Sequence, residues 1–311
     1  MSIPAIEPPA HEGPSGLPPG FRFGGYSGAI DDSAGSGIVI PLGQVDDEYV
    51  HWRVTDISGW AAATLDEGAE NIVGEDGAFD AENYYGARTV GLKGQIRAPD
   101  RAALEAARDR LMQVLPPRRL VKVRLDEAVP KFVMARRTGE PLVDLVTDTL
   151  AEYDVTVLAP DPRKYADDGL FAQMSIAVSA PGLAPPWTPP IRFPARPPGS
   201  ERATVTNAGT YETQPFIRLD GPGRDLQVLN DTTGLHLAYD VELGVGDFLD
   251  IDCRVGSALL NGVANRSPVV GSAITTQFVL VRGPNRLRFL GTATDPDLVA
   301  IATIRANSAW D

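Results

Sequence analysis

The chain has 311 residues, of which 43% are hydrophobic, with 31 Gly, 27 Pro and a formal net charge of −13. The length favours two cores over one, and the Gly and Pro content favours a turn-dense, β-rich architecture. The acidic balance excludes a general nucleic-acid-binding surface, which needs clustered Lys and Arg, and no apolar run reaches the roughly 20 residues that span a bilayer.

Residues 1–20 carry six prolines and three glycines without an apolar period, so they read as a flexible N-terminal arm with no basic-then-apolar leader. Residues 21–165 read as one α+β domain. Within it Thr89–Ile96 alternates, with Val90, Leu92 and Ile96 on one face and Lys93, Gln95 and Arg97 on the other. Pro99 and Asp100 then open a helix, since proline is tolerated in a first turn and an acidic side chain suits the positive end of the helix dipole. Leu104, Ala107, Leu111, Val114 and Leu115 recur at helical spacing and should face a sheet, and Pro116-Pro117 ends the helix. Strands are expected at Val121–Leu125, Lys131–Met134 and Tyr153–Val157, with Pro160-Asp161-Pro162 closing the sheet. One helix on several strands excludes a doubly wound fold, which needs repeated crossovers.

Residues 181–199 hold eight prolines in nineteen positions, a density that forbids a central strand. Residues 166–200 are therefore expected to be a Pro-rich linker. Beyond it, short strands at Phe216–Asp220, Leu226–Asn230, Leu235–Tyr239, Asp247–Cys253, Gln277–Val281 and Arg286–Leu290 predict a β-sandwich over residues 201–311. Asn261-Gly262 carries the signature of a two-residue hairpin turn.

Residues for chemistry are sparse. The single cysteine, Cys253, excludes an intrachain disulfide and a cysteine zinc site, and its inward position in an alternating run predicts a buried structural thiol. His11, His51 and His236 have no metal-ligand spacing and read as surface or interface residues. The glycine pairs at Gly35–Gly37 and Gly221–Gly223 lack a following helix start, so they are turns and not phosphate cradles. Tyr211, Tyr239, Phe248 and Trp310 are too dispersed for a stacking platform and read as core or a tucked terminus.

From Asp66 to Glu82 the chain places Asp66, Glu67, Glu70, Glu75, Asp76, Asp80 and Glu82 without a basic residue. Calcium ligation and a glycosidase acid pair are two readings of such carboxylates, but the alternating acidic loop of strong calcium sites is missing. A solvated acidic loop is the third.

These turn and strand signatures, in this order, resemble the siphovirus distal tail proteins. The matching pieces are Val90–Ile96, the helix from Asp100 to Leu115, Ala159–Tyr165, Asn207-Ala208-Gly209, Pro215, Gly221, Thr233-Gly234, Gly246-Asp247, Ile251-Asp252, Leu260-Asn261-Gly262 and Asn285. The resemblance covers roughly residues 88–165 and 203–291. It implies a mainly β protein, with an N-terminal β-sandwich-like, ring-forming domain bearing one helix and a C-terminal galectin-like (jelly-roll) β-sandwich.

It further implies a non-enzymatic virion protein without cofactor or metal. Such a protein, made in the host cytoplasm, would sit at the distal end of a long non-contractile tail. Its implied partners are five further copies of itself in a hexamer, the tail tube protein above and the tip or baseplate hub proteins below, with the tape measure protein as an optional neighbour. Specific nucleic acid and membrane insertion are not implied. In such a ring Asp66, Glu67, Glu70, Glu75 and Asp76 would face the lumen or its rim, or else form an outer loop kept soluble by charge.

Two departures matter. Gly283-Pro284-Asn285 inverts a more usual proline–glycine order, and the sugar-contact pattern of galectins is missing around His236. Carbohydrate binding therefore does not transfer with the resemblance. A module gripping a host-surface carbohydrate is the alternative reading, and a tail glycosidase the weakest.

Overall fold

The computed structural model describes residues 17–66, 68, 70–71, 76, 78–79, 82–176, 201–295 and 298–311. The chain divides into two compact units, residues 1–164 with Asp311 and residues 165–310.

The first unit contains β1 (Gly28–Asp32), β2 (Ile38–Leu42), β3 (Gln44–Val45) and β4 (His51–Ser58). Four short strands follow, β5 (Leu65–Asp66), β6 (Glu70–Asn71), β7 (Ala78–Phe79) and β8 (Tyr84–Tyr85), where β5 pairs with β8 and β6 with β7. Then come β9 (Arg88–Arg97), α1 (Arg101–Val114), β10 (Val121–Leu125), β11 (Lys131–Thr147) and β12 (Leu150–Ala159), while β13 (Lys164–Ala166) lies on the unit boundary. The main sheet runs β2-β1-β10-β11-β12-β9-β4-β3. Its long member, β11, is 17 residues, so Lys131–Ala135 pairs with β10 and Arg136–Thr147 with β12. Between Thr138 and Leu142 the register slips, next to Gly139 at φ 68°. Such a bulge bends a strand, and the sheet curls into a near-closed barrel with β2 returning against β4.

Helix α1 lies against β1, β2 and β9. Asp100 caps it by accepting from the Ala103 N–H at 2.8 Å, and Leu104, Ala107, Leu111 and Val114 form the buried stripe that the spacing predicts. Those side chains meet Val90, Leu92 and Ile96 of β9 in one core. A polar knot holds the other flank. The buried carboxylate of Asp46 accepts from Trp52 Nε1 at 2.9 Å and pairs with Arg110 of α1 at 3.1 Å. At the N-terminal side Gly20 donates to Val45 and Val45 donates to Phe21, so residues 20–21 run beside β3, whereas residues 1–16 of the expected arm lie outside the described residues.

The second unit contains β14 (Leu170–Ser175), β15 (Arg202–Asn207), β16 (Phe216–Asp220), β17 (Arg224–Asn230), β18 (Leu235–Ala238) and β19 (Phe248–Asp252). It continues with β20 (Ser257–Leu260), β21 (Ala264–Asn265), β22 (Gly283–Thr292), β23 (Ile301–Ala306) and β24 (Ala309–Trp310). One sheet is β14-β23-β16-β19-β20-β21 and the other β15-β22-β17-β18. Inward residues of both, among them Ile217, Leu249, Ile251 and Ile304 from the first and Val205, Val228, Leu287 and Phe289 from the second, share one core. That is a sandwich. Asn261 (φ 51°) and Gly262 (φ 72°) both take the positive φ that the tight turn requires.

Two expectations are corrected. Residues 170–175, inside the stretch assigned to the linker, form β14 and pair antiparallel with β23 along their full length. Proline density begins only at Pro181, and the alternation of Ala172 and Met174 into the core governs what precedes it. Residues 177–200 lie outside the described residues. The strand expected at Gln277–Val281 is instead a 3-10 turn at Thr275–Gln277 followed by a segment with an isolated bridge, Thr213 to Leu280. Phe278 and Leu280 are buried as the alternation demands, but much of this backbone is bonded by asparagine side chains in place of a ladder.

Candidate functional site

The acidic segment is the one group of residues the sequence singles out. Asp66 ends β5 with its side chain exposed, Asp76 is exposed, and Glu70 lies in β6. Glu67 and Glu75 lie outside the described residues. Among the described residues no three His, Cys, Asp or Glu side chains converge as metal ligands, and no helix is long and apolar enough to cross a membrane.

His51 departs from the surface or interface reading. It is 5% exposed in β4, its ring 5.5 Å from that of Phe23, and burial, with Arg97 adding to it, holds its imidazole below the usual histidine range. Trp52 takes the core side of β4, so His51 lies on the opposite face and is covered there by groups such as Phe23, a consequence of tertiary packing that a lone histidine in a sequence does not announce. His236 is half-buried in β18, and His11 lies outside the described residues. Cys253 is buried, and burial pushes its thiol up, which leaves it unreactive.

The distal half of β11 in the first unit carries exposed apolar side chains. Leu142 and Leu145 are exposed although paired with β12, and Val146 is exposed at the register shift between Leu145 and Thr147. Asp144, Leu145, Val146 and Thr147 are exposed in succession, so both faces of the strand meet solvent there. Apolar side chains left uncovered on a strand whose Val143 still packs against the core form the pattern of an interaction surface. The sequence hides it because Leu142, Leu145 and Val146 read as ordinary strand residues, and only the packing shows that nothing within the unit covers them.

Buried polar groups were also hidden behind turn-like letters. Asn207 donates to the carbonyls of Tyr211 (2.7 Å) and Leu280 (3.1 Å) and accepts from the N–H groups of Gly209 (3.0 Å) and Ala309 (3.2 Å). Asn230 donates to Val279 and to Asn285 Oδ1, and Asn285 in turn exchanges bonds with Val281 in both directions. All three amides are fully buried. In the first unit the Arg88 guanidinium, fully buried, donates to the carbonyls of Pro162 and Trp60, and the Lys164 ammonium reaches the same Trp60 carbonyl at 3.1 Å. Burial lowers both cations from their usual ranges. These groups organise backbone, and the second Arg88 amino group faces the Asp311 carboxylate at 3.5 Å.

The family described as siphovirus-type tail component, C-terminal domain, matches residues 208–302. Among solved structures, the Dit protein of phage SPP1, described as a paradigm of the hub adsorption apparatus in phages infecting Gram-positive bacteria, superposes with a TM-score of 0.56 at 13% identity, covering 90% of this chain and 98% of that one. A chain of the phage P2 baseplate in its activated conformation with calcium superposes with a TM-score of 0.51 at 10% identity, covering 90% and 97%. A comparison with curated proteins finds no match in sequence. The superpositions establish the fold over both units, and the sequence match falls on the unit with the buried asparagine network. Residues 208–302 thus match the siphovirus-type tail component C-terminal domain, and the chain as a whole shares the fold of the SPP1 Dit protein.

Proposed function

We propose that the first unit closes into a homohexameric ring at the distal end of the tail, joining the tail tube above to the tip or baseplate hub proteins below. The observation that carries this reading is the distal half of β11, whose Leu142, Leu145 and Val146 are exposed. A head-to-tail contact between copies forms a ring when its rotation closes, and an exposed apolar strand segment suits one side of it. The acidic segment around Asp66, Glu70 and Asp76 fits the lumen or its rim, where basic groups would retain phosphates.

Residues 21–165 alone should give ring particles by negative-stain imaging and a sixfold mass by light scattering, and Leu145→Asp should leave monomers with unchanged circular dichroism. A monomeric fragment beside an oligomeric 200–311 fragment would assign ring formation to the wrong unit. The tape measure protein is a further neighbour in this reading.

A further inference from the structure

The outer face of the six-stranded sheet in the second unit carries an ordered row of side chains. Phe171 of β14 is the cross-strand partner of Arg305 in β23, Arg305 of Phe216 in β16, and Phe216 of Asp252 in β19. Directly opposed residues share a face, and their inward neighbours Ala172, Ile304, Ile217 and Ile251 are all in the core. The row therefore points outward, with an arginine between two aromatic rings. Phe171 is 59% exposed. A single exposed ring is ordinary on a protein surface, but here it borders a cleft of about 550 Å³ that Phe216, Arg254, Arg305 and Asn307 also line.

The polar groups of the cleft are partly preorganised. The Arg254 guanidinium lies over the Tyr165 ring at 4.7 Å, and Asp252 accepts from the backbone N–H groups of Arg254 (2.9 Å) and Val255 (3.3 Å). One row further along, Arg218 is already committed, stacked on Phe248 at 3.9 Å and paired with Asp220 and Asp250. Arg305 lies at the centre of the outward row, exposed and between the two rings. The cleft's lining sets Arg254 and Arg305 beside Asp252, and Asp250 of the next row also acts on Arg305, so the exposed guanidinium of Arg305 is the cation a ligand would meet on this face.

We propose that this cleft binds an anionic saccharide of the uronate class. The apolar C–H face of a pyranose packs on Phe171 and Phe216, and its carboxylate takes the fork of Arg305 with Arg254 beside it, the geometry in which guanidinium recognises carboxylate. Asn307 at the rim supplies an amide for a ring hydroxyl. The exposed guanidinium fork of Arg305 selects this occupant over a neutral sugar, and over a proline-rich peptide, whose docking in an aromatic groove makes no use of a guanidinium. The inference is independent of ring formation, so its failure would leave the assembly reading untouched.

Titration calorimetry on the full chain with trigalacturonate, with maltotriose and a proline-rich peptide as comparison ligands, tests it. Trigalacturonate should bind, more weakly as salt rises. Maltotriose should bind at least about tenfold more weakly, and Phe171→Ala and Arg305→Gln should each cost about tenfold, one aromatic or charged anchor's worth of affinity. Both side chains are exposed, so an unchanged melting midpoint confirms that each variant is folded. No trigalacturonate heat, equal affinity for maltotriose, undiminished binding in both variants, or preferential binding of the peptide would each overturn the proposal.

Discussion

Asn207 satisfies two carbonyls and two N–H groups from one buried side chain. Asn207→Ala would strand all of them, at about 1–3 kcal/mol for each group left unsatisfied and partly relieved by relaxation. We expect a loss of about 3 kcal/mol, and amide exchange at Leu280 and Ala309 should accelerate in step. Protection unchanged from the parent protein would show that water replaces the amide. His51 gives the first unit a pH dependence with a definite sign. Burial depresses its folded pKa, so the unfolded chain binds the proton more tightly. The neutral imidazole's contribution is complete above the unfolded value near 6.5 and is lost as pH falls from there through the depressed folded value. Between pH 7 and pH 5 the urea midpoint of the first unit should drop, and His51→Gln should flatten that slope. An equal slope in the variant would trace it to carboxylates.

At the scale of the element, α1 combines a side-chain cap with a complete apolar stripe. Asp100→Ala removes the cap to Ala103 and should cost about 1 kcal/mol. Leu111→Ala opens a cavity against β9 and should cost about 3 kcal/mol; thermal unfolding of the two variants side by side checks the ranking. The helix was fully legible, since proline, acidic cap and 3.6-residue period agree within a few turns of chain. So were Val121–Leu125 and Phe216–Asp220, whose alternation is strict and whose bounds match the observed strands. Strand β14 was not, because neighbouring prolines drew Leu170–Ser175 into the linker although its partner lies 130 residues on at β23. The Gln277–Val281 segment shows the converse failure. Its alternation is genuine, but Asn207, Asn230 and Asn285 supply hydrogen bonds that a neighbouring strand would otherwise make.

For the whole molecule, the composition of residues 181–199 predicts an exposed connection within the second unit, between β14 and β15. Brief proteolysis should cut there and leave a fragment that starts near residue 200; β14 would then be lost from the second unit's sheet unless it stays docked on β23. Cuts confined to the sandwich, with that stretch intact, would mean the connection is packed down. In assembled virions, replacing Asp66, Glu67, Glu70 and Glu75 with lysine should slow genome ejection, with the delay shrinking as salt screens the added charges. Ejection at the parental rate in low salt would place the segment on the outside of the ring.

Local physics made the class of this protein readable from the chain alone. Period-two alternation, one capped helix, Asn-Gly at a turn and the ordered glycines and asparagines of the second unit each depend on neighbours a few residues apart. What only the tertiary structure decided depends on pairing across long separations. Register placed Phe171, Arg305 and Phe216 in one outward row, packing left Leu142, Leu145 and Val146 uncovered, and burial turned three turn-forming asparagines into a structural network. A hydrophobic letter states that a side chain prefers to leave water; which strand lies beside it, and whether anything covers it, is set by the closure of the whole sheet.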